Sequence, residues 1–520
     1  MSTDLVRVRT GVYHDSVSLM RVSQAVTGLP GVEVAVVAMA TELNRGIAAE
    51  LGFDLPEAGP ADLLIAIRSG APAALEAAAA ELDRLLAGLA GRTGGGTAAE
   101  HPPRTVRTAA RGRAATLALV SVPGEHAFAE AMDAIEAGLS VMIFSDNVPV
   151  EQEVLLKRRA AERGVLVMGP DCGTAVIAGA GLGFANVLRP GSVGLVAASG
   201  TGAQQVSCLL DLAGVGVGHV LGVGGRDLSE EVGGLSTLRA LEALDADPAT
   251  ELIVLISKPP APEVARTVRE AVAKLETPVV TALLGPGQDD LTAAAENALR
   301  ALGVAVPTWR SWPAPAPPPP DDRPRAAGRD TGGAGAGRTG TGTEGADAGR
   351  TGTGTGTEGA DAGRTGTGTE GAGGSGGGTR AGTLRGVYSG GTLCAEARLI
   401  AGTGEFTDFG EDAYTRGRAH PMIDPTLRLE ALAEVPPGDV VLLDVVLGHG
   451  ADPDPSARLA PGIAAAVARG VPVVVALIGS EGDPQGLNAQ AEAVRAAGAA
   501  VFTSNAQAAR HAAGLLASAR

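Results

Sequence analysis

Pro190-Gly-Ser-Val-Gly-Leu-Val-Ala-Ala-Ser-Gly-Thr-Gly-Ala-Gln-Gln-Val-Ser-Cys-Leu-Leu210 decides the reading of this chain. Val193 to Ala197 is an apolar run of strand length, too short for a helix and suited to a buried parallel strand. Ser199-Gly200-Thr201-Gly202 follows as a turn of two glycines and two hydroxyls. Val206, Leu209, Leu210 and Ala213 then recur at helical spacing, and Gly214 is placed to end that helix. A strand, a Gly/Ser/Thr turn and a helix start aim unpaired amides and the positive end of a helix dipole at one point. That is an anion site, most simply a phosphate site. The same order recurs far downstream as Leu384 to Tyr388, Ser389-Gly390-Gly391-Thr392 and a helical run from Leu393. The chain reads as two phosphate-seeking helix ends held on two α/β domains.

Composition bounds what surrounds these ends. With 45% hydrophobic and 19% charged residues, the 520-residue chain is long enough for several folded domains. Aromatics are only 2%, so Val, Leu, Ile and Ala must fill the cores. A net charge of −17 argues against nucleic acid and anionic membrane surfaces as partners, while helix ends still collect anions locally. Cys172, Cys208 and Cys394 are too few and scattered for a disulfide framework or a metal site, and read as small buried hydrophobes. No basic stretch with an apolar core opens the sequence and no apolar run reaches membrane-spanning length, so a cytoplasmic location is expected.

Alternating strand and helix patterns predict an α/β protein of several Rossmann-like or flavodoxin-like parallel-sheet domains joined by a disordered linker. Residues 1–112 read as a small α/β domain without a phosphate fingerprint, ending in a polar basic loop from Arg92 to Arg113. Residues 113–188 read as a Rossmann unit in which Asn147, Pro149, Asp171 and Thr174 fall at the carboxyl ends of strands, where such sheets bind ligands. Turn chemistry alone would also place Asn, Asp and Pro there. Residues 189–308 form the unit opened by the quoted stretch. From 309 to 382 a Pro-rich run and an imperfect R-T-G-T-G-T-E-G-A repeat offer almost nothing apolar to bury, the composition of a flexible tether. Residues 383–520 complete a second doubly wound pattern.

Six stretches in this order resemble a known family. Gly169-Pro-Asp-Cys-Gly-Thr-Ala175, Ala198-Ser-Gly-Thr-Gly-Ala-Gln-Gln205 and Gly222-Val-Gly-Gly-Arg-Asp227 are similar to the CoA-binding and ligase segments of the succinyl-CoA synthetase α subunit. Tyr388-Ser-Gly-Gly-Thr-Leu-Cys394, His420-Pro-Met-Ile-Asp-Pro425 and Ser504-Asn-Ala-Gln-Ala-Ala509 extend the likeness to the carboxy-terminal domain of its β subunit. Within that NDP-forming acyl-CoA synthetase superfamily the chain most resembles the FdrA family. The resemblance implies that the two helix starts face each other, so that Ser199, Gly200, Thr201, Gly202, Ser389, Gly390, Gly391 and Thr392 share one phosphate. It also implies an acyl-phosphate chemistry, CoA as a possible cofactor bound near Asn147, Pro149, Asp171 and Thr174, partner subunits and an oligomer. The chain departs from the synthetases at Leu284-Gly285-Pro286-Gly287, where their phosphohistidine loop falls and no histidine stands. Nor is there a carboxylate at Ser257-Lys258, a Gly-rich CoA fingerprint in the first Rossmann unit, or a segment of ATP-grasp length.

Three functions follow as expectations. The first is an acyl-CoA synthetase-like, succinate–CoA ligase-like component handling an acyl phosphate. The second, implied by FdrA kinship with allantoin breakdown, is a carbamoyltransferase component that splits oxalurate with phosphate into oxamate and carbamoyl phosphate. The third is a non-catalytic scaffold. For the reacting carboxylate or carbonyl the candidates are Arg226 and Lys258 at strand ends, His420, and His449 between two glycines after a buried strand.

Overall fold

A computed structural model of the chain describes residues 2–12, 14, 16–92, 103–112, 114–315, 382–415 and 418–518. The first domain runs β1 (Thr3–Arg9), α1 (Ser16–Thr27), β2 (Val32–Met39), α2 (Glu42–Glu50), β3 (Leu63–Ser69) and α3 (Pro72–Arg92). Its sheet, in order β1-β3-β2, is antiparallel throughout, so this small α/β domain is not one of the parallel-sheet domains. The fully buried Leu63–Ile67 forms its centre. The loop expected between Arg92 and Arg113 contains a helix, α4 (Val106–Arg111), with Thr105 and Thr108 forming a capping box. Val106 and Ala110 pack into the next domain's core.

That next domain is a three-stranded parallel sheet of β4 (Leu117–Val120), β5 (Ser140–Ile143) and β6 (Val167–Met168), crossed by α5 (Gly124–Glu136) and α6 (Val150–Arg163). The chain then leaves it. The hairpin of β7 (Thr174–Ile177) and β8 (Ala180–Gly183) joins the following sheet, which makes the change of domain earlier than residue 188. That sheet, in order β12-β11-β9-β10-β7-β8, is built from β9 (Val193–Ala198), β10 (Val217–Gly222), β11 (Leu252–Ser257) and β12 (Val279–Leu283), all parallel, with the hairpin on its edge. Its helices are α7 (Gly200–Leu212), α8 (Leu235–Asp245), α9 (Pro262–Val272) and α10 (Leu291–Ala301).

Residues 309–315, assigned by composition to the tether, are part of the fold. Trp309 is buried, and β13 (Ser311–Trp312) pairs antiparallel with a strand nearly two hundred residues later. The Gly/Thr-rich repeats themselves lie outside the described residues. The last sheet, in order β13-β18-β17-β16-β14-β15, comprises β14 (Leu384–Tyr388), β15 (Glu405–Asp408), β16 (Val440–Val446), β17 (Val473–Ile478) and β18 (Ala500–Phe502). It carries α11 (Gly391–Ala401), α12 (Asp412–Thr415), α13 (Thr426–Glu434), α14 (Pro455–Ala468), α15 (Leu487–Ala496) and α16 (Asn505–Ser518).

One apolar core joins the two six-stranded sheets. It draws Val206 and Leu209 from α7, Leu393 and Ala397 from α11, and Ala508 and Ala512 from α16. The helix α7 is therefore buried on every side from Thr201 to Asp211. Its buried residues include Gln204, Gln205, Ser207 and Asp211 beside the apolar ones, and each of these polar side chains is hydrogen-bonded within the interior between two sheets.

Candidate functional site: two facing helix starts

The apolar run of β9 delivers the chain to Ser199, whose hydroxyl caps α7 by accepting the Gly202 amide at 2.9 Å. The strand β14 delivers the chain in the same way to Ser389 and Gly390, the start of α11. The two starts meet: Ser199 Oγ lies 2.6 Å from Thr392 Oγ1, in a buried hydrogen bond between residues 193 apart in sequence. The amides of each first turn have no carbonyl to pair with along their own helix, so both positive ends open on the same small volume. Glycine is required at this contact. A Cβ on Gly390 would stand 2.6–2.8 Å from Thr201 Cγ2, Oγ1 and Cβ.

Charged groups line the same place. A Cβ on Gly391 would stand 2.9 Å from Lys258 Nζ and would press on Asp408 Oδ2. The position of a Gly410 Cβ lies 3.0 Å from His420 Nε2 and 3.1 Å from Asp408 Oδ1. Asp408 thus stands between the ammonium of Lys258 and the imidazole of His420. Burial pushes its carboxyl up to about 6, opposed by the Gly410 amide and Lys258 and reinforced by Asp444 and Glu411.

His420 is held neutral. Burial first, and the Arg428 charge second, bring its pKa down to about 4. The Met422 amide donates to Nδ1 at 3.3 Å, which leaves the ring proton on Nε2, facing Asp408 and Gly410. The ring packs on Phe184 of the preceding sheet, centroids 5.4 Å apart. The strand β16 reads Val-Val-Leu-Leu-Asp-Val-Val, and its lone carboxylate, Asp444, accepts the Ser389 amide at 2.8 Å and the Ser389 hydroxyl at 3.0 Å. Arg428 Nη2 reaches the same oxygen at 3.0 Å. The hydroxyl of Ser389 therefore points at Asp444 and anchors the turn, while its carbonyl lies beside Gly410.

The other sequence-predicted residues fall elsewhere. Arg226 is half-exposed, pairs with Glu153 at 2.9 Å and donates to the Val148 carbonyl. Beside it lies a buried set that sequence reading missed, in which Lys157 bridges Glu153 and Asp227 at 2.7 Å each, while Asp227 caps α8. The i,i+4 spacing of Glu153 and Lys157 had the look of an ordinary surface pair. The imidazole of His449 is exposed, and its backbone bridges to Ala185 through N–H···O bonds of 2.8 and 3.2 Å. Asn147, Pro149 and Asp171 are exposed at strand ends, Asn147 and Asp171 with φ of 54° and 55°. The neighbouring protein, then Asp146 and Asp412, raise the Asp171 carboxyl above its ordinary value, against Lys258 and Arg226. Thr174 is buried and donates to the Phe184 carbonyl at 2.8 Å; its hydroxyl lies 3.3 Å from where a Gly200 Cβ would stand. The three cysteines are free and buried, and burial pushes the Cys172 and Cys394 thiols up to about 12.

Comparison with known proteins gives the chain its relatives. The chain is 35% identical to the protein YahF of Escherichia coli (strain K12), described as uncharacterized, over an alignment covering 97% of each. The chain belongs to the FdrA family. The CoA-ligase family model matches residues 387–515, the domain that carries the second helix start. An α subunit of succinate–CoA ligase (ADP-forming) from Archaeoglobus fulgidus is 28% identical over 30% of this chain and 54% of its own. The α subunit of malate–CoA ligase from Methylorubrum extorquens is 26% identical over 35% of this chain and 62% of its own. Among solved structures, a dinucleotide-forming acetyl-coenzyme A synthetase of Ca. Korarchaeum cryptofilum in complex with phosphate and ADP is 15% identical, covering 82% of this chain and 87% of its own at a TM-score of 0.30. The CoA-ligase family match and the ligase α subunits support a CoA-ligase-like enzyme component and give the carbamoyltransferase alternative no support. A model described as AllF, heavy metal-associated domain, matches residues 1–103. Those residues contain no cysteine, and among the described residues no group of three or more His, Cys, Asp or Glu side chains is placed to hold a metal ion. Among the described residues no helix is long and apolar enough to cross a membrane.

Proposed function

We propose that the starts of α7 and α11 hold one tetrahedral anion, the phosphoryl end of an acyl phosphate, in an enzyme component of acyl-CoA ligase type. The observation that carries this reading is the 2.6 Å contact between Ser199 and Thr392, which brings two helix dipoles to one point. Two such ends, with Lys258 beside them, stabilise charge that develops on a leaving phosphate. In the acyl-transfer step a CoA thiol sulfur bonds to the acyl carbon and the bond from that carbon to the phosphate oxygen breaks. The phosphate leaves with the electron pair and takes up the thiol proton. Thr201 and the first-turn amides other than that of Gly202, which Ser199 already accepts, receive the phosphate oxygens, Lys258 offsets their charge, and Ser389 keeps its turn in place through Asp444. The neutral Nε2–H of His420 is a donor for the acyl carbonyl or carboxylate. Asn147, Pro149 and Asp171, exposed at strand ends, offer the surface for CoA. A partner subunit would supply nucleotide chemistry.

Calorimetric titration with inorganic phosphate tests the site. Thr201→Asp fills the anion position with a carboxylate and should abolish binding; unchanged affinity would remove the site. The reaction is tested by supplying acetyl phosphate and CoA to the protein with its co-purifying partners, with thioester formation as the readout. Since Leu284-Gly285-Pro286-Gly287 offers no phosphohistidine, a parallel arm supplies oxalurate and phosphate. Oxamate released there, with no thioester in the first arm, would replace acyl-CoA chemistry by carbamoyl transfer.

A further inference from the structure

The helix α1 of the first domain has two occupied faces. Leu19, Val22 and Val26 are buried in that domain's own core. Arg21 and Gln24, three positions apart and so on one side of the helix, reach out of the domain altogether. Gln24 Nε2 donates to the Ile423 carbonyl at 2.7 Å, and Arg21 Nη2 donates to the Ala451 carbonyl at 2.8 Å. Both acceptors lie in loops of the last domain, some four hundred residues downstream.

These two loops are tied to each other and to the site. The Asp452 amide donates to the Met422 carbonyl at 2.8 Å. Arg458 Nη1 adds a second donor to the Ile423 carbonyl, at 3.2 Å. Within the first loop, the amides of Ile423 and Asp424 close a turn on the His420 carbonyl at 2.7 and 3.0 Å. The amide that fixes the imidazole, Met422 N–H to Nδ1, lies inside that turn. A displacement of Ile423 is therefore passed to the bond that selects which nitrogen of His420 carries the proton.

We propose that α1 is a clamp on this turn, and that Arg21 and Gln24 are positioning residues that keep His420 as a fixed Nε2–H donor at the anion site. The inference rests on the reading of the helix pair as an anion site. It gives the first domain a role that does not involve metal.

The test uses the full chain with nitrogen-15-labelled histidine. In the wild type, His420, assigned by its loss in His420→Gln, should show the spectrum of a locked Nε2–H tautomer at neutral pH. In the Arg21→Ala/Gln24→Ala double variant the tautomers should average, and phosphate affinity should fall by about tenfold, within the usual range of coupling between sites. Arg21→Lys, which keeps a donor, should restore most of the wild-type spectrum when combined with native Gln24. Gln24→Glu, which sets a carboxylate against the Ile423 carbonyl, provides a second disruption with the helix otherwise unchanged. A folded double variant with unchanged His420 resonances overturns the clamp. A wild type with locked His420 that binds no phosphate overturns the anion site and leaves the clamp standing.

Discussion

At the scale of single residues, Asp408 decides how the site responds to pH. It stands beside Lys258 and Gly391, and burial raises its carboxyl to about 6. A carboxyl whose folded pKa lies above its unfolded value favours the folded state at low pH, and that contribution is lost as pH rises from about 3.8 through about 6. Anion binding follows the same sign for a local reason. Above pH 6 the carboxylate offsets Lys258 and repels an incoming anion; below it, Lys258 acts alone. Sulfate keeps its charge across this range, so its affinity isolates the protein's titration. We expect sulfate to bind about fivefold more tightly at pH 5.5 than at 7.5, an effect of roughly 1 kcal/mol for charges a few ångströms apart in a partly solvated site. Asp408→Asn should remove the step near 6. A wild-type affinity independent of pH would detach Asp408 from the anion.

At the scale of elements, the two strand–turn–helix units depend on close approach at Gly390. A methyl there would collide with the Thr201 side chain, whose branching at Cβ leaves it few rotamers in a helix. Gly390→Ala should push the helix starts apart, break the Ser199–Thr392 bond, cost about 1–3 kcal/mol of stability and reduce phosphate affinity at least tenfold. Thermal unfolding and calorimetry read the two effects. Gly514→Ala in α16, where a Cβ meets nothing within 4 Å, is the control and should be neutral or stabilising by up to about 1 kcal/mol. Both units were legible in the sequence, because an apolar run ending in Ser-Gly encodes a strand and a helix cap locally. Their meeting was not legible in spacing; kinship alone suggested it. Asp408 and Asp444 were passed over for opposite reasons. Asp408 sits in a stretch crowded with polar residues, where nothing singles it out, whereas Asp444, a lone carboxylate in an apolar strand, carried a signal of a buried partner that went unread. β13 escaped because two residues inside Pro-rich sequence carry no periodicity, and its pairing is set by a distant strand. His449 reads as a proton carrier by position, yet its backbone makes the contact.

At the scale of the molecule, the seam between the two six-stranded sheets is built like an interior. Asn186 donates to Asp483 at 2.7 Å and to the Leu447 carbonyl at 3.0 Å, and Ser480 donates to the Val187 carbonyl at 2.6 Å. Gln205 accepts the Asn505 amide at 2.9 Å and donates to the Thr503 carbonyl. Glu396, between the Leu291 amide and Asn505, is raised by burial to about 7. Buried polar groups of this kind are costly unless every partner is present, so each half of the seam stabilises the other. The core residues of α7, α11 and α16 and the β13–β18 pairing cross the same boundary. A covalent tether then raises only the effective concentration of two halves that already fit. Residues 1–315 and 382–520, co-expressed as separate chains, should associate one to one, and a tag on the first should retain the second through purification. The complex should bind phosphate as the intact chain does, because Ser199 and Thr392 come from different halves and meet without the intervening sequence. Residues 382–520 alone should expose the apolar faces of α11 and α16 and aggregate. If the two chains part on a sizing column while each remains folded, the seam is not an interior, and the anion site depends on the tether.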